Sequence, residues 1–251
     1  MRPGRPRTAF AHGYSLTLSP PLDRAEDWYR IGADGVVLCD PVTADPRIDH
    51  LHALRLPTVS IDRDPDRPNW CTYVAGDNEQ NTLDLLDHLS AQGATKIAML
   101  AVEASWAWNL DSTRAYERWC AAPGTAPRLV RLALSRQSPE SFDATTELLA
   151  SADPPDAVLV TAEQFIEGAL RACRARDLRV PDDVLLAVGN DSRVAQLSDP
   201  PITAVDLRPE QQAKAAIDML LRLLDGEKVT EPTIVASTLH VRASTTPRYR
   251  G

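Results

Sequence analysis

A few side chains in this sequence have the type and placement to meet a ligand. Asp191 follows the apolar run Val184–Val188, Gly189 and Asn190. A strand over that run brings the carboxylate to its carboxyl end, where open α/β sheets bind ligands. An ionised carboxylate there accepts two hydroxyl hydrogen bonds, and charge-assisted bonds are roughly twice as strong as neutral ones. Asn190-Asp191-Ser192 is also good turn chemistry, so a local capping role stands beside the binding role. Trp106 and Trp108 hold two of the chain's five tryptophans within three residues. Their flat faces suit sugar rings and other planar or semi-planar ligands, while core packing or a dimer contact is the competing use. Asp111 reads as a helix N-cap or as a partner for a ligand hydroxyl.

Other chemistries find no support. The sequence has no G-x-S-x-G elbow, no Walker A loop and no G-x-G-x-x-G. The histidines (12, 50, 52, 88, 240) form no H-E-x-x-H and no cluster with cysteine. Nothing pairs a nucleophile with a base, so the expectation is a protein that is not an enzyme and carries no metal or cofactor. Cys39, Cys71, Cys120 and Cys173 are scattered without a C-x-x-C, which reads as reduced and mostly buried thiols.

The elements that must position these residues alternate along the chain. Strand-like runs are Tyr14–Leu18, Gly35–Leu38, Thr58–Ile61, Lys96–Leu100, Arg128–Leu134, Ala157–Val160 and Val184–Val188. Helix candidates fall at Asp23–Ile31, Glu79–Ala91, Asp111–Ala121, Pro139–Ser151, Glu163–Arg176 and Pro209–Leu224. Gly93 closes the second, and Pro209 opens the last in a first-turn position. Short β-branched runs alternating with helices argue for parallel sheets covered on both faces. Val184–Val188, apolar throughout, reads as a central strand. Asp77-Asn78 starts the Glu79–Ala91 helix and reads as structural, a carboxylate suited to the macrodipole.

The net charge of −8 is the wrong sign for a chain that grips phosphates over its main surface. No segment approaches the roughly 18 apolar residues of a membrane helix, and the basic start Met1–Thr8 lacks a secretory apolar stretch. The expectation is a cytoplasmic protein with no membrane contact.

Three phrases carry a resemblance: Val180-Pro-Asp-Asp-Val-Leu-Leu-Ala-Val-Gly-Asn-Asp191, Pro200-Pro-Ile-Thr-Ala-Val205 and Leu239-His-Val-Arg-Ala-Ser-Thr245. In that order and spacing the chain, from about Ala11 to Pro247, resembles the effector-binding half of LacI/GalR-type transcription regulators. The resemblance implies an α/β fold of two Rossmann-like lobes, of the periplasmic-binding-protein-like type. Residues 1–102 plus 207–228 would form the N-terminal lobe, and 103–206 plus 229–251 the C-terminal lobe. Crossings would fall near Ala101–Ser105, Thr203–Leu207 and Val229–Thr233. Ala11–Leu18 looks like the end of a first helix entering a second strand. Only ten residues stand upstream, with two prolines and three arginines in the first seven, so the first lobe is expected to lack its first strand and the chain a DNA-binding headpiece.

The same resemblance places ligand contacts at Asp191, at Asn190 beside it, and around Trp106, Trp108 and Asp111. It sets Ser112 where the family carries a ligand-binding arginine, Arg114 being two residues off. Gln164 lies where the family has a polar pair, with Ala162 in place of its asparagine. Asp62, after Thr58–Ile61, would line the pocket, a local ion pair with Arg63 being the alternative. The implied function is the sensing and dimerisation module of a regulator, most simply a repressor. Its partners would be a small sugar-like effector between the lobes, a second copy of the chain, and operator DNA only through a headpiece. A headless partner of full-length regulators and a periplasmic-type sugar-binding protein are the alternatives.

Overall fold

The computed structural model describes residues 8–19, 27, 32–121, 126–134 and 139–246. In chain order the elements begin with α1 (Thr8–Ala11), β1 (Val36–Cys39), α2 (Pro46–Ala53), β2 (Thr58–Ile61), β3 (Tyr73–Ala75) and α3 (Asn78–Ala91). Next come β4 (Ile97–Val102), α4 (Ala107–Trp119), β5 (Arg128–Leu132), α5 (Pro139–Ala150), β6 (Ala157–Val160) and α6 (Ile166–Ala175). The last are β7 (Leu185–Val188), α7 (Arg193–Leu197), β8 (Thr203–Asp206), α8 (Pro209–Leu224), β9 (Thr233–Ile234) and β10 (Thr238–His240). The chain forms two compact units, Met1–Gly76 with Arg208–Val235, and Asp77–Leu207 with Ala236–Gly251.

The first unit holds a parallel sheet in the order β1-β2-β3-β9. Helix α8 packs Ala216, Met219 and Leu220 onto Val59 and Val74. Its approach requires Gly35, where an added Cβ would lie 2.8 Å from Leu220 Cδ1 and 3.0 Å from the Pro57 carbonyl oxygen. At α2 the buried N-cap Asp45 accepts from the Arg47 backbone N–H at 2.9 Å, and the Arg47 guanidinium folds back onto the same carboxylate. Among the described residues β1 is an edge of this sheet. Tyr14–Leu18, expected as a strand, has no regular structure. Leu16 and Leu18 are exposed. The Tyr14 N–H turns back to the Ala9 carbonyl at 3.0 Å, and alternation alone cannot make a strand without a ladder to pair its backbone. The helix expected over 23–31 lies outside the described residues, apart from Asp27.

The second unit is built on a sheet in the order β10-β8-β7-β6-β4-β5, parallel except for β10. Both faces are covered, so β4, β6 and β7 are buried along their whole length. Alternate residues choose the face. Ile97, Met99 and Ala101 meet Leu85, Leu86, Leu89 and Tyr116 of α3 and α4. Leu100 and Val102 look the other way, onto Leu149 of α5 and Ile166, Ala169 and Leu170 of α6. Each such large side chain contributes roughly 1.5–3 kcal/mol by leaving water.

Two boundaries differ from expectation. The first crossing lies at Gly76/Asp77 rather than near Ala101–Ser105, and the last at Val235/Ala236 rather than at Val229–Thr233. Helix α3 and strand β4, assigned in sequence to the first lobe, therefore belong to the second. The cause is β4 itself, which hydrogen-bonds to β5 on one side and β6 on the other. The second crossing, at Leu207/Arg208, falls at the end of the expected stretch. Helix α4 begins four residues before the expected Asp111, with Trp106 as its N-cap.

Candidate functional site

Strand order locates the site in the second unit. From β4 the chain goes to β5 on one side, then returns to place β6, β7 and β8 successively on the other. The reversal point is the gap between the carboxyl ends of β4 and β6, the place where doubly wound sheets bind ligands. Register sets Leu100 opposite Val160 and Val160 opposite Val188. The loops that follow β4, β6 and β7 thus leave the sheet at one level. They carry Trp106, Gln164 and Asn190.

Trp106 and Trp108 stack, with ring centroids 5.6 Å apart and planes 12° from parallel. Residues two apart point to opposite sides of a helix, so this pairing needs Trp106 outside it. Its backbone is extended (φ −65°, ψ 141°), and α4 starts at Ala107. Both rings are half-buried and pack against the apolar cluster of α5, α6 and the sheet. The 5.6 Å separation exceeds the contact distance of stacked rings, so they are offset, the arrangement aromatic pairs favour.

Asn109 fixes the loop behind them. It is 2% exposed, and its Nδ2 donates to the Val102 carbonyl at 2.8 Å and the Ala104 carbonyl at 2.9 Å. Its Oδ1 is buried without a hydrogen-bond partner. Thr161, after β6, accepts from the Val102 N–H at 3.2 Å, joining the two strand ends. Asp111 and Ser112 are half-buried within α4. Asp111 is not an N-cap, because the helix starts before it, and its Oδ1 lies 3.7 Å from Arg114 Nη1. Gln164 is exposed in the 3-10 turn Glu163–Phe165, after the apolar Ala162.

Asp191 follows β7 as expected, but protein donors surround its carboxylate. Arg242 grips it with both ends of the guanidinium, Nη1 to Oδ1 at 2.9 Å and Nη2 to Oδ2 at 2.7 Å. Gln196 Nε2 donates to Oδ2 at 3.1 Å, the Ser192 N–H donates to Oδ1 at 2.9 Å, and His240 Nδ1 lies 3.3 Å from Oδ2. A carboxylate offers about four lone-pair sites, and these contacts fill them. Burial pushes its pKa up, but the bonds from Arg242, Gln196 and His240 outweigh it and hold the carboxyl below its usual range. The group expected to bind ligand is thus engaged as a clasp for the C-terminal tail. Asn190 beside it is half-buried at the strand end.

The tail continues this anchoring. Ser244 Oγ donates to the Leu186 carbonyl at 2.6 Å and accepts from the Thr203 N–H at 2.9 Å. Thr245 Oγ1 shares a 2.6 Å hydrogen bond with Thr203 Oγ1 and lies 2.8 Å from His88 Nε2. Arg242, Ser244 and Thr245, a phrase that carried the resemblance, are here a lock on β7 and β8. Burial lowers the His88 pKa.

Asp62 belongs to the first unit. It follows β2 with a left-handed backbone (φ 72°) and is 8% exposed. Its N–H donates to the Val74 carbonyl at 2.8 Å, and its Oδ1 accepts from the Arg63 N–H at 2.8 Å. Of the cysteines, Cys120 and Cys173 are buried, Cys71 is half-buried and Cys39 is exposed, so the expectation of mostly buried thiols holds for two of them. Burial pushes the Cys173 thiol up to about 11. Among the described residues no group of three His, Cys, Asp or Glu could hold a metal ion, and no helix is long and apolar enough to cross a membrane.

Asn109, Arg242 and His240 were not singled out from sequence. Arg242 and His240 find Asp191 only once β10 is laid against β8. An asparagine three residues into a helix that follows an apolar strand was the one available sign of Asn109.

Comparison with known proteins agrees with this architecture. The HTH-type transcriptional regulator GalR of Streptococcus thermophilus is 26% identical over 217 residues, 83% of this chain and 65% of that protein. The HTH-type transcriptional regulator CelR of Thermobifida fusca is 28% identical over 210 residues, 83% of this chain and 62% of the relative. The chain thus spans just under two thirds of the length of these relatives. A LacI family transcriptional regulator from Bifidobacterium animalis subsp. lactis has the same fold, with a TM-score of 0.86 at 22% identity over 97% of this chain and 92% of that one. A CelR–cellobiose complex superposes with a TM-score of 0.80 at 25% identity, covering 88% of this chain and 68% of the other. The sequence pattern of the periplasmic binding protein-like domain matches residues 86–245. The chain therefore belongs to the family of periplasmic binding protein-like domains, and its relatives are LacI-type transcription regulators.

Proposed function

We propose that this chain is the effector-sensing and dimerisation module of a LacI-type transcription regulator, acting in the cytoplasm on a neutral, hydroxyl-rich ring compound such as a mono- or disaccharide. The observation that carries the reading is the stacked Trp106–Trp108 pair at the β4/β6 reversal point. A flat apolar face takes a sugar ring, and Gln164, Asn190, Asp111 and Ser112 supply polar partners from the neighbouring loops and α4. The solved complex of CelR with cellobiose supports the ligand class, and the regulator relatives support a role outside catalysis. Homodimerisation, repression and operator binding through a helix-turn-helix belong to the same reading.

Ligand that prefers one conformation shifts the population toward it, and that differential affinity is the signal such a sensor transmits. Intrinsic tryptophan fluorescence during titration with cellobiose, other sugars, polyols and nucleobases tests the proposal. A saturable change with a sugar, lost in Trp108→Ala and weakened in Gln164→Ala, is the expected result. A folded protein that answers to nucleobases alone, or whose sugar response survives Trp108→Ala, overturns it.

A further inference from the structure

We propose that Asn109 is the positioning residue of this site: from inside the β4–α4 loop it sets the Trp106–Trp108 stack and hence the affinity for effector. The inference about the stack stands on geometry alone; the part about affinity rests on the function proposed above.

The stack exists because Trp106 is extended while Trp108 is already helical. A residue at the boundary of a helix is held in that state by its cap, and Trp106 offers no side-chain cap hydrogen bond. Asn109 acts in its place. From the third helical position it reaches back and donates to the Val102 and Ala104 carbonyls, at 2.8 and 2.9 Å. Those two carbonyls bracket Glu103, whose N–H is bound to the Leu132 carbonyl at 2.7 Å. One buried amide therefore ties the end of β4, the loop and the first turn of α4 into one piece, with both tryptophans in the segment closed between Ala104 and Asn109.

The direction of the amide is settled by its partners. Exchanging nitrogen and oxygen would set Oδ1 against two carbonyl oxygens, so Nδ2 faces the loop and Oδ1 is left buried without a partner. Native proteins leave few buried polar atoms unpaired, and such local conflicts gather at functional sites. An alanine here would remove the conflict but release both loop carbonyls. The residue sacrifices one acceptor to hold the loop that presents the rings.

Two stacked indoles couple their transitions, so the far-UV circular dichroism of the pair carries an exciton couplet that reads the stack without any ligand. Trp106→Phe and Trp108→Phe identify the couplet by abolishing it. Asn109→Ala is expected to lose it while the helical signal remains, and to weaken sugar affinity by about tenfold, the low end of the loss seen when hydrogen-bond partners behind metal ligands are removed. Asn81→Ala, at the other buried asparagine with an unpaired atom, is expected to leave the couplet in place. Asn109→Asp covers the case in which the alanine variant does not fold. Its carboxyl donates only when protonated, so the couplet should be weak at neutral pH and recover as the pH falls. A couplet that persists in Asn109→Ala, or one that is weak in Asn109→Asp at every pH, overturns the positioning role. Loss of the couplet in a family of variants whose parent binds no sugar would leave Asn109's role standing and remove the proposed function.

Discussion

Replacing Asp191 separates a ligand contact from a structural clasp. In the structure its carboxylate, 9% exposed, faces the Arg242 guanidinium, 16% exposed, in a bidentate pair at 2.7 and 2.9 Å. Asp191→Ala strands that guanidinium with the Ile202 carbonyl at 2.7 Å as its remaining close oxygen. Breaking a buried pair by removing one partner costs about 3–5 kcal/mol. The partial exposure of Arg242 places this case at the low end, about 3 kcal/mol. For a protein of this length 1 kcal/mol moves the midpoint by roughly 2–4 °C, so a drop of roughly 6–12 °C is expected. Differential scanning calorimetry or urea unfolding followed by circular dichroism measures it. The acid side supplies a second check. Asp191 has a folded pKa below its unfolded value, so its stabilisation is complete above about pH 4 and is lost as pH falls through the folded pKa. The gap between wild type and variant should therefore close in strong acid. A variant that keeps its midpoint at neutral pH yet loses effector binding would refute the clasp and restore Asp191 as a ligand group.

Three further perturbations test the packing within the units. Tyr116→Phe removes the hydroxyl that donates to the Ile97 carbonyl at 2.7 Å and accepts from the Arg128 N–H at 2.8 Å; with a half-buried donor left unpaired, a loss of about 1 kcal/mol is expected in urea unfolding. Gly35→Ala forces a methyl to within 2.8 Å of Leu220 and 3.0 Å of the Pro57 carbonyl oxygen, and overpacking of this kind costs about 1–3 kcal/mol; an unchanged midpoint would show that α8 yields freely. Burial lowers the His88 pKa, so below about pH 6.5 the unfolded chain binds more protons and stability falls with pH through that value. The urea midpoint should drop less between pH 7.5 and pH 5.5 in His88→Gln than in the wild type, and equal drops would count against the reasoning.

How much of this was legible beforehand varied with the range of the interaction. Thr58–Ile61 and Ala157–Val160 appear as the strands expected, and Pro209–Leu224 as the helix expected. In each case the signal was local: a short β-branched or apolar run, or apolar residues at helical spacing behind a first-turn proline. The Asp111 reading failed over a distance of four residues. A good capping residue sat inside a helix whose start is set by Asn109 and the end of β4.

The sequence by itself determined the α/β class, most element positions, and the tryptophans and Asp191 as residues to examine. These follow from periodicity, composition and short phrases, which are properties of neighbours along the chain. Tertiary structure alone decided that β4 joins the second unit, that Asp191 spends its carboxylate on a guanidinium 51 residues away, and that two tryptophans share a stack. A strand's neighbours and a charge's partner are chosen by contacts between distant segments, where hydrogen-bond satisfaction and burial are settled together, and no local pattern encodes that choice.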